Sequence, residues 1–220
     1  MRFASRAHQT RKQAHCTGIG QSSSAADSQA ICQGLDPEIV PSKFAEDLPH
    51  DEFSNVYEYP VATATEKAVE VYVRMVEENA DDPPSLVIAA DTVVLTKVAS
   101  AGQRDNLRML LELNGGRCEV VTGVSVVYPI LTAPGYAIKS MDDRCIVHFH
   151  DSDISILEAY VDSEEGIDRA GGFALQERGA HLVSKVEGDF YNAVGFPGSA
   201  FFKWIGILIN EEDDFMDFDI

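Results

Sequence analysis

Residues Ser85–Leu95 read SLVIAADTVVL, a continuous apolar run broken by one acid, Asp91. Its length and β-branched content predict a strand buried on both faces, of the kind found in parallel or mixed sheets. A carboxylate inside such a run is costly unless something uses or satisfies it. Asp91 therefore reads in two ways. It is a metal ligand or general base held at the mouth of a sheet, or it is an acid capping a turn at a strand end. Position alone does not choose between them.

Working outward, helices and strands alternate. Upstream, Ala62–Asn79 places Ala64, Ala68, Val71, Met75 and Val76 at helical spacing, and Asp82-Pro83-Pro84 stops the pattern. Lys67 shares a face with Ala64, Ala68 and Val71 and so can edge the core, although alone it reads as a solvated lysine. Pro41–Pro60 reads as a long acidic connection, a candidate flap. Downstream, Asp105–Asn114 predicts a short helix with Leu107, Leu110 and Leu111 inward, ended by Gly115-Gly116. Cys118–Tyr128 and Ala137–His148 predict two further strands. Asp153–Val161 predicts a helix with Asp153 as its cap, His181–Val186 a short strand, and Pro197–Ile209 a closing helix with the lone Trp204. This order predicts an α/β fold with α+β mixed character.

Charge and cysteines narrow the function classes. The 220 residues hold 17 Lys+Arg against 36 Asp+Glu, a formal charge of −19. Such a field repels phosphate backbones, so nucleic acid is excluded as a partner over a broad surface, while a single phosphorylated small molecule can still be held by a local basic pocket. Four cysteines with no CxxC spacing exclude a zinc ribbon, a redox pair and a disulfide scaffold, and the thiols read as reduced and intracellular. With no run of 18 apolar residues, no membrane span is expected. Every acid lies beyond residue 26, and the basic, serine-bearing start has the composition of a mitochondrial transit peptide or of a tail outside the fold. At the other end, Glu211–Asp219 reads as a solvated acidic tail.

Other chemistry-bearing residues are sparse. Gly171-Gly172 marks a tight backbone that a ligand can approach. Gln176, on an expected strand just after it, has an amide that both donates and accepts, suited to a nucleobase edge or simply to solvent. His148 and His150 share a strand face but lack a third ligand nearby.

Five stretches in register resemble the Maf family of nucleoside triphosphate pyrophosphatases: Ile39–Leu48, Glu66–Val71, Val87–Val94, Met109–Val127 and Ile156–Pro197. The ADT strand and the AGG-x-x-x-Q segment carry most of the likeness, and VPSKF and GDFYNAVGFP look most like eukaryotic members. The resemblance covers residues 31–209, leaving 1–30 as an atypical or disordered N-terminal segment and 210–220 as an acidic tail. It implies an elongated two-lobed fold with a twisted mixed sheet and a central cleft. It implies hydrolysis of dTTP or UTP, and of some modified pyrimidine nucleotides, to the monophosphate and pyrophosphate, with Mg²⁺ or Mn²⁺ as cofactor. Such proteins are commonly cytoplasmic and often homodimeric.

Residue by residue, the likeness makes Asp91 the catalytic carboxylate and metal ligand. Thr92 and Gln176 match positions tied to base selection. Lys67 matches a lysine near the phosphates, Lys97 stands in for a second one, and Asp168 matches the acid of a DKAG-like stretch in which Arg169 replaces Lys. Two features depart from the family. Its opening strand and Ser-x-Ser-Pro-Arg-Arg loop have no match here, the nearest text being Gly20–Ala30, and the Glu-Lys-Pro stretch after the ADT strand is shortened. Either the chain is a divergent or inactive member, or coding segments are missing at these places. The alternatives to an active enzyme are a catalytically impaired nucleotide-binding or partner protein of the same fold, and an acidic interaction protein.

Overall fold

The computed structural model describes residues 15–17, 38–96, 106–167, 169–211 and 215. Among them, one six-stranded sheet runs in the order β2-β1-β3-β4-β5-β6. Its strands are β1 (His15–Thr17), β2 (Glu38–Val40), β3 (Val87–Leu95), β4 (Arg117–Pro129), β5 (Tyr136–Phe149) and β6 (Val183–Glu187). β1 pairs parallel with both β2 and β3, and the other pairings are antiparallel, so the sheet is mixed as expected.

Helices cover both faces. α1 (Glu58–Glu78) lies on one face, where Ala68, Val71 and Tyr72 pack on Val87, Ala89 and Val127. The other face carries two apolar clusters. In one, Phe201 and Leu208 of α5 (Gly198–Glu211) meet Ile88, Ala90, Val124 and Val126. In the other, α2 (Asn106–Leu113) and α3 (Ile154–Asp162) set Leu110, Leu113, Leu157 and Tyr160 against Cys118, Val120, Cys145 and Val147. The alternation of side chains along β3 and β4 thus feeds helices on both sides, which is why Ser85–Leu95 reads as continuously apolar.

Several expectations shift. α1 starts at Glu58, ahead of Ala62, because Pro60 falls in the first helical turn, where the missing N–H has no intrahelical partner to lose. Asp153 does sit just before α3, but its side chain makes no capping bond and its carbonyl alone accepts from Ile156 N at 2.9 Å. Gln176 lies in no strand; it precedes a 3₁₀ turn at Glu177–His181. A short helix, α4 (Phe190–Val194), was not legible in the pattern and is capped by Asp189, whose carboxylate accepts from Tyr191 N at 2.9 Å. The acidic tail is not wholly solvated: Phe215 is buried edge-to-face on Tyr128, with ring centroids 4.8 Å apart. His15–Thr17, inside the segment read as lying outside the fold, occupies the position of a core strand between β2 and β3.

Candidate active site

Strand alternation decides where Asp91 points. Val87 and Ala89 pack on α1, so Asp91, two residues on, faces α1 as well, while Ile88, Ala90 and Thr92 face the other side. From α1, Lys67 lies three residues beyond Ala64 and four before Val71, inside the apolar stripe. It is not a solvated lysine: only 1% of it is exposed. Its Nζ donates to Asp91 Oδ1 at 2.8 Å and stands 2.9 Å from Glu46 Oε1.

Glu46 comes from the connection read as a flap, which is a strap fastened to α1. Ser42 Oγ and Lys43 N both donate to Glu70 Oε2 at 2.9 Å, and Arg74 reaches Pro41 O at 2.9 Å and Glu70 Oε1 at 2.7 Å. Burial raises the Glu70 carboxyl, but the bonds from Arg74, Lys43 N and Ser42 outweigh it and hold the group below its ordinary value. The strap thereby sets Glu46 over Lys67, one helical turn earlier along α1. Sequence reasoning missed Glu46 because it sits in a segment without periodicity; its only signal was its place within Ile39–Leu48.

The electrostatics are unusual for a buried ion pair. Burial pushes the Asp91 carboxyl above its ordinary value, Lys67 pulls it back, and Glu46 pushes it up again. Two carboxylates share one ammonium, so the described part of the site carries a net charge of about −1 when both acids are ionised.

The remaining expected residues fall elsewhere. Thr92 faces the opposite side of the sheet from Asp91, where its hydroxyl pairs with that of Thr122 at 2.9 Å and reaches Gly195 O at 3.5 Å. Gln176 is half-buried, and its amide makes no hydrogen bond to another described residue. The loop that carries it is tied to β3. At Gly171, which has φ +73°, a Cβ would stand 3.1 Å from Val94 Cγ1. Lys97, Asp168 and Gly20–Ala30 lie outside the described residues. His148 is 3.3 Å from Glu187 Oε1, and His150 is exposed just past β5.

A divalent cation can be tested against these donors. Among the described residues no group of three His, Cys, Asp or Glu side chains could hold a metal. Mg²⁺, however, is normally bound by one or two carboxylates and completed by substrate phosphates and water. Asp91 and Glu46 are hard oxygen donors that both approach Lys67, and Asp91 Oδ2 is not engaged by that lysine. The residues fit a substrate-completed Mg²⁺ or Mn²⁺ and do not make a closed cage.

A cavity of about 330 Å³ opens at the end of β3, lined by Tyr57, Leu95, Thr96, Arg117, Glu119 and Ile146 among others. Leu95 is on the Asp91 face, about 13 Å further along the strand by its rise per residue. There Tyr57 donates to Glu119 Oε2 at 3.0 Å, and Arg144 lies 3.6 Å above the Tyr57 ring.

Several known proteins resemble this chain over most of its length. Residues 21–206 match the family model described as Maf-like protein. A Schizosaccharomyces pombe protein named dTTP/UTP pyrophosphatase is 35% identical over 185 residues, covering 80% of this chain and 76% of that protein. A Caldicellulosiruptor bescii protein of the same name is 34% identical over 169 residues, covering 74% of this chain and 80% of its own. A Homo sapiens protein named "Probable bifunctional dTTP/UTP pyrophosphatase/methyltransferase protein" is 36% identical over 178 residues, and the chain spans only 28% of that longer protein. With the match running through the strap, α1, the ADT strand and the α4 turn, the chain belongs to the family of Maf-like proteins.

Proposed function

We propose that the chain hydrolyses dTTP and UTP to the nucleoside monophosphate and pyrophosphate, at the site formed by Lys67, Asp91 and Glu46. The observation that carries the reading is the buried Lys67–Asp91 contact at 2.8 Å, with Glu46 on the same ammonium. A water attacks the α-phosphorus, the bond to the bridging oxygen toward the β-phosphorus breaks, and pyrophosphate leaves. Asp91 accepts the water's proton, and its raised pKa makes it a stronger base than an ordinary aspartate. Lys67 sets its positive charge against the negative charge that develops on the phosphate oxygens. A divalent cation held by Asp91 and Glu46 would supply charge neutralisation of the phosphates. Gln176, with an amide uncommitted to other described residues, contributes base selection, and Lys97 adds a phosphate contact.

The relatives' names support this reaction class and substrate pair. A cytoplasmic location is supported by Cys118 and Cys145, both free thiols. No described helix is long and apolar enough to cross a membrane. A homodimer is supported by the exposed Phe190, Tyr191, Phe202 and Ile209.

One observation favours a second reading, binding without turnover: the Ser-x-Ser-Pro-Arg-Arg loop of the family has no match in this sequence, the nearest text being Gly20–Ala30. The test is pyrophosphate release from dTTP, UTP, CTP, ATP and GTP with Mg²⁺ and then Mn²⁺, beside Asp91→Asn. Release from dTTP and UTP that disappears in the variant supports hydrolysis. Nucleotide-dependent thermal stabilisation without release supports binding alone.

A further inference from the structure

The face of the sheet opposite Asp91 carries a polar seam. By register, the row Thr92, Thr122, Asp143 runs between two apolar rows, Ala90–Val124–Met141 and Val94–Val120–Cys145. The first belongs to the cluster under α5 and the second to the cluster under α2 and α3. The chain entering α4 lies against this seam: a Cβ at Gly188 would stand 3.0 Å from Cys145 Cβ and 3.1 Å from Arg144 O. Asp189 follows and uses one oxygen to cap α4, while its Oδ2 is buried without a partner among the described residues. Asn192 has 0% exposure, and its Nδ2 donates to Val120 O at 3.3 Å, in the row of Cys145. That bond and a side-chain hydrogen bond to the Cys145 thiol engage the amide, while Oδ1 is buried without a partner among the described residues. Asp143 Oδ2 is in the same condition.

Three oxygens are therefore unsatisfied where α4 meets β5, although buried polar atoms nearly always have partners. The two carboxylates act on one another: burial and then the Asp189 charge push Asp143 up. We propose that Asp143, Asp189 and Asn192 form a second cation site, for a hard divalent ion such as Ca²⁺ or Mg²⁺. The donors are all oxygen, two from carboxylates and one from an amide, and water completes the shell. The Cys145 thiol beside them is no ligand, because burial pushes it up to about 12 and keeps it protonated. Asp143 and Asp189 are only partly buried, so an ion can reach the site. Bound there, it would clamp α4 to β5 and join the two apolar clusters across their seam. The site shares no residue with the Lys67–Asp91 pair and does not rest on the hydrolytic reading.

The test uses metal-free full-length protein, with Ca²⁺ and Mg²⁺ titrated by calorimetry and followed by thermal unfolding, in wild type, Asp143→Asn and Asp91→Asn. We expect one ion to bind and raise Tm by a few degrees in both wild type and Asp91→Asn. Asp143→Asn should weaken binding roughly tenfold or more, since a charged ligand is lost. Without cation it should be at least as stable as wild type, because like charges no longer face each other. If Asp143→Asn does not fold, equilibrium dialysis of Asp91→Asn against radioactive calcium decides: about one ion per chain supports the site, and none overturns it. The proposal is also overturned if cation leaves wild-type Tm unchanged, if the shift survives in Asp143→Asn, or if Asp91→Asn abolishes it.

Discussion

Gly123 lies directly beneath the backbone of Val61: a Cβ added at Gly123 would come within 2.4 Å of Val61 N. Gly123 is also the cross-strand partner of Asp91. The missing side chain thus lets α1 settle onto the sheet beside the acid that Lys67 must reach. Gly123→Ala should push α1 away and lengthen the Lys67–Asp91 contact. Overpacking of this kind costs about 1–3 kcal/mol, or about 2–4 °C in Tm per kcal/mol at this chain length. Gly206 of α5 is the control, since a Cβ there meets nothing within 4 Å. Gly206→Ala should stabilise by about 0.5–1 kcal/mol. Thermal unfolding of the two variants checks both signs, and turnover should fall only for Gly123→Ala.

The buried ion pair makes Lys67 more important to the fold than its position on a helix suggests. Lys67→Met would leave Asp91, 8% exposed, without its counter-charge. Breaking a buried pair from one side costs on the order of 3–5 kcal/mol. Adding Asp91→Asn should recover much of that loss, because no uncompensated charge remains. Urea denaturation of the two single variants and the double variant gives the coupling, and independent, additive losses would contradict the pairing.

The pH behaviour follows from the direction of the Asp91 shift. Its folded-state pKa lies above the ordinary 3.8. Between the unfolded and folded values the folded protein binds more protons, so this group's contribution to stability falls as pH rises through the raised pKa. Asp91→Asn should remove that slope. Hydrolysis should show the opposite trend: kcat/KM should rise with pH on an acid limb above the usual aspartate range, as the base form appears. A limb at an ordinary aspartate pKa would assign the proton transfer to another group.

Thr92 and Gln176 should separate by what they disturb. The Thr92 hydroxyl is already bonded to Thr122 on the face away from Asp91. Thr92→Val should cost about 1 kcal/mol of stability, the net value of a lost hydrogen bond. Gln176→Ala should leave stability within about 0.5 kcal/mol, as for a side chain outside any buried network. It should instead reorder preference among dTTP, UTP and CTP. Substrate ranking and chemical denaturation, run on both variants, distinguish these outcomes.

The periodic elements were legible because period and burial agree in them. α1, β3, β4 and β5 end within a few residues of their apolar patterns, and Asp91 stood out as an acid in an apolar run. What failed was anything set by distant packing. Lys67 read as solvated because its partners lie 24 residues ahead in β3 and in a strap with no pattern of its own. Pro60 read as a boundary because the rule against helical proline relaxes in the first turn. Phe215 gave no signal because acids surround it in the sequence, and its burial on Tyr128 is set by distant packing. Asn192 gave no signal, since its orphaned oxygen exists only after α4 has docked.

The sheet order also fixes the sequence in which its parts can assemble. β4 and β5 are joined by a short turn and can zip locally, whereas His15 must find Val87 across roughly 70 residues of chain, the kind of pairing that forms slowly. β2 is held to the sheet through the three residues of β1, and β2 leads into the strap that delivers Glu46. The most hard-won pairing therefore governs the last acid to arrive over Lys67. It is also the first to be lost by sub-global opening, so hydrogen exchange at the β1–β2 edge should run ahead of exchange in β3–β5. Competence at this site is gained late in folding and surrendered early in unfolding.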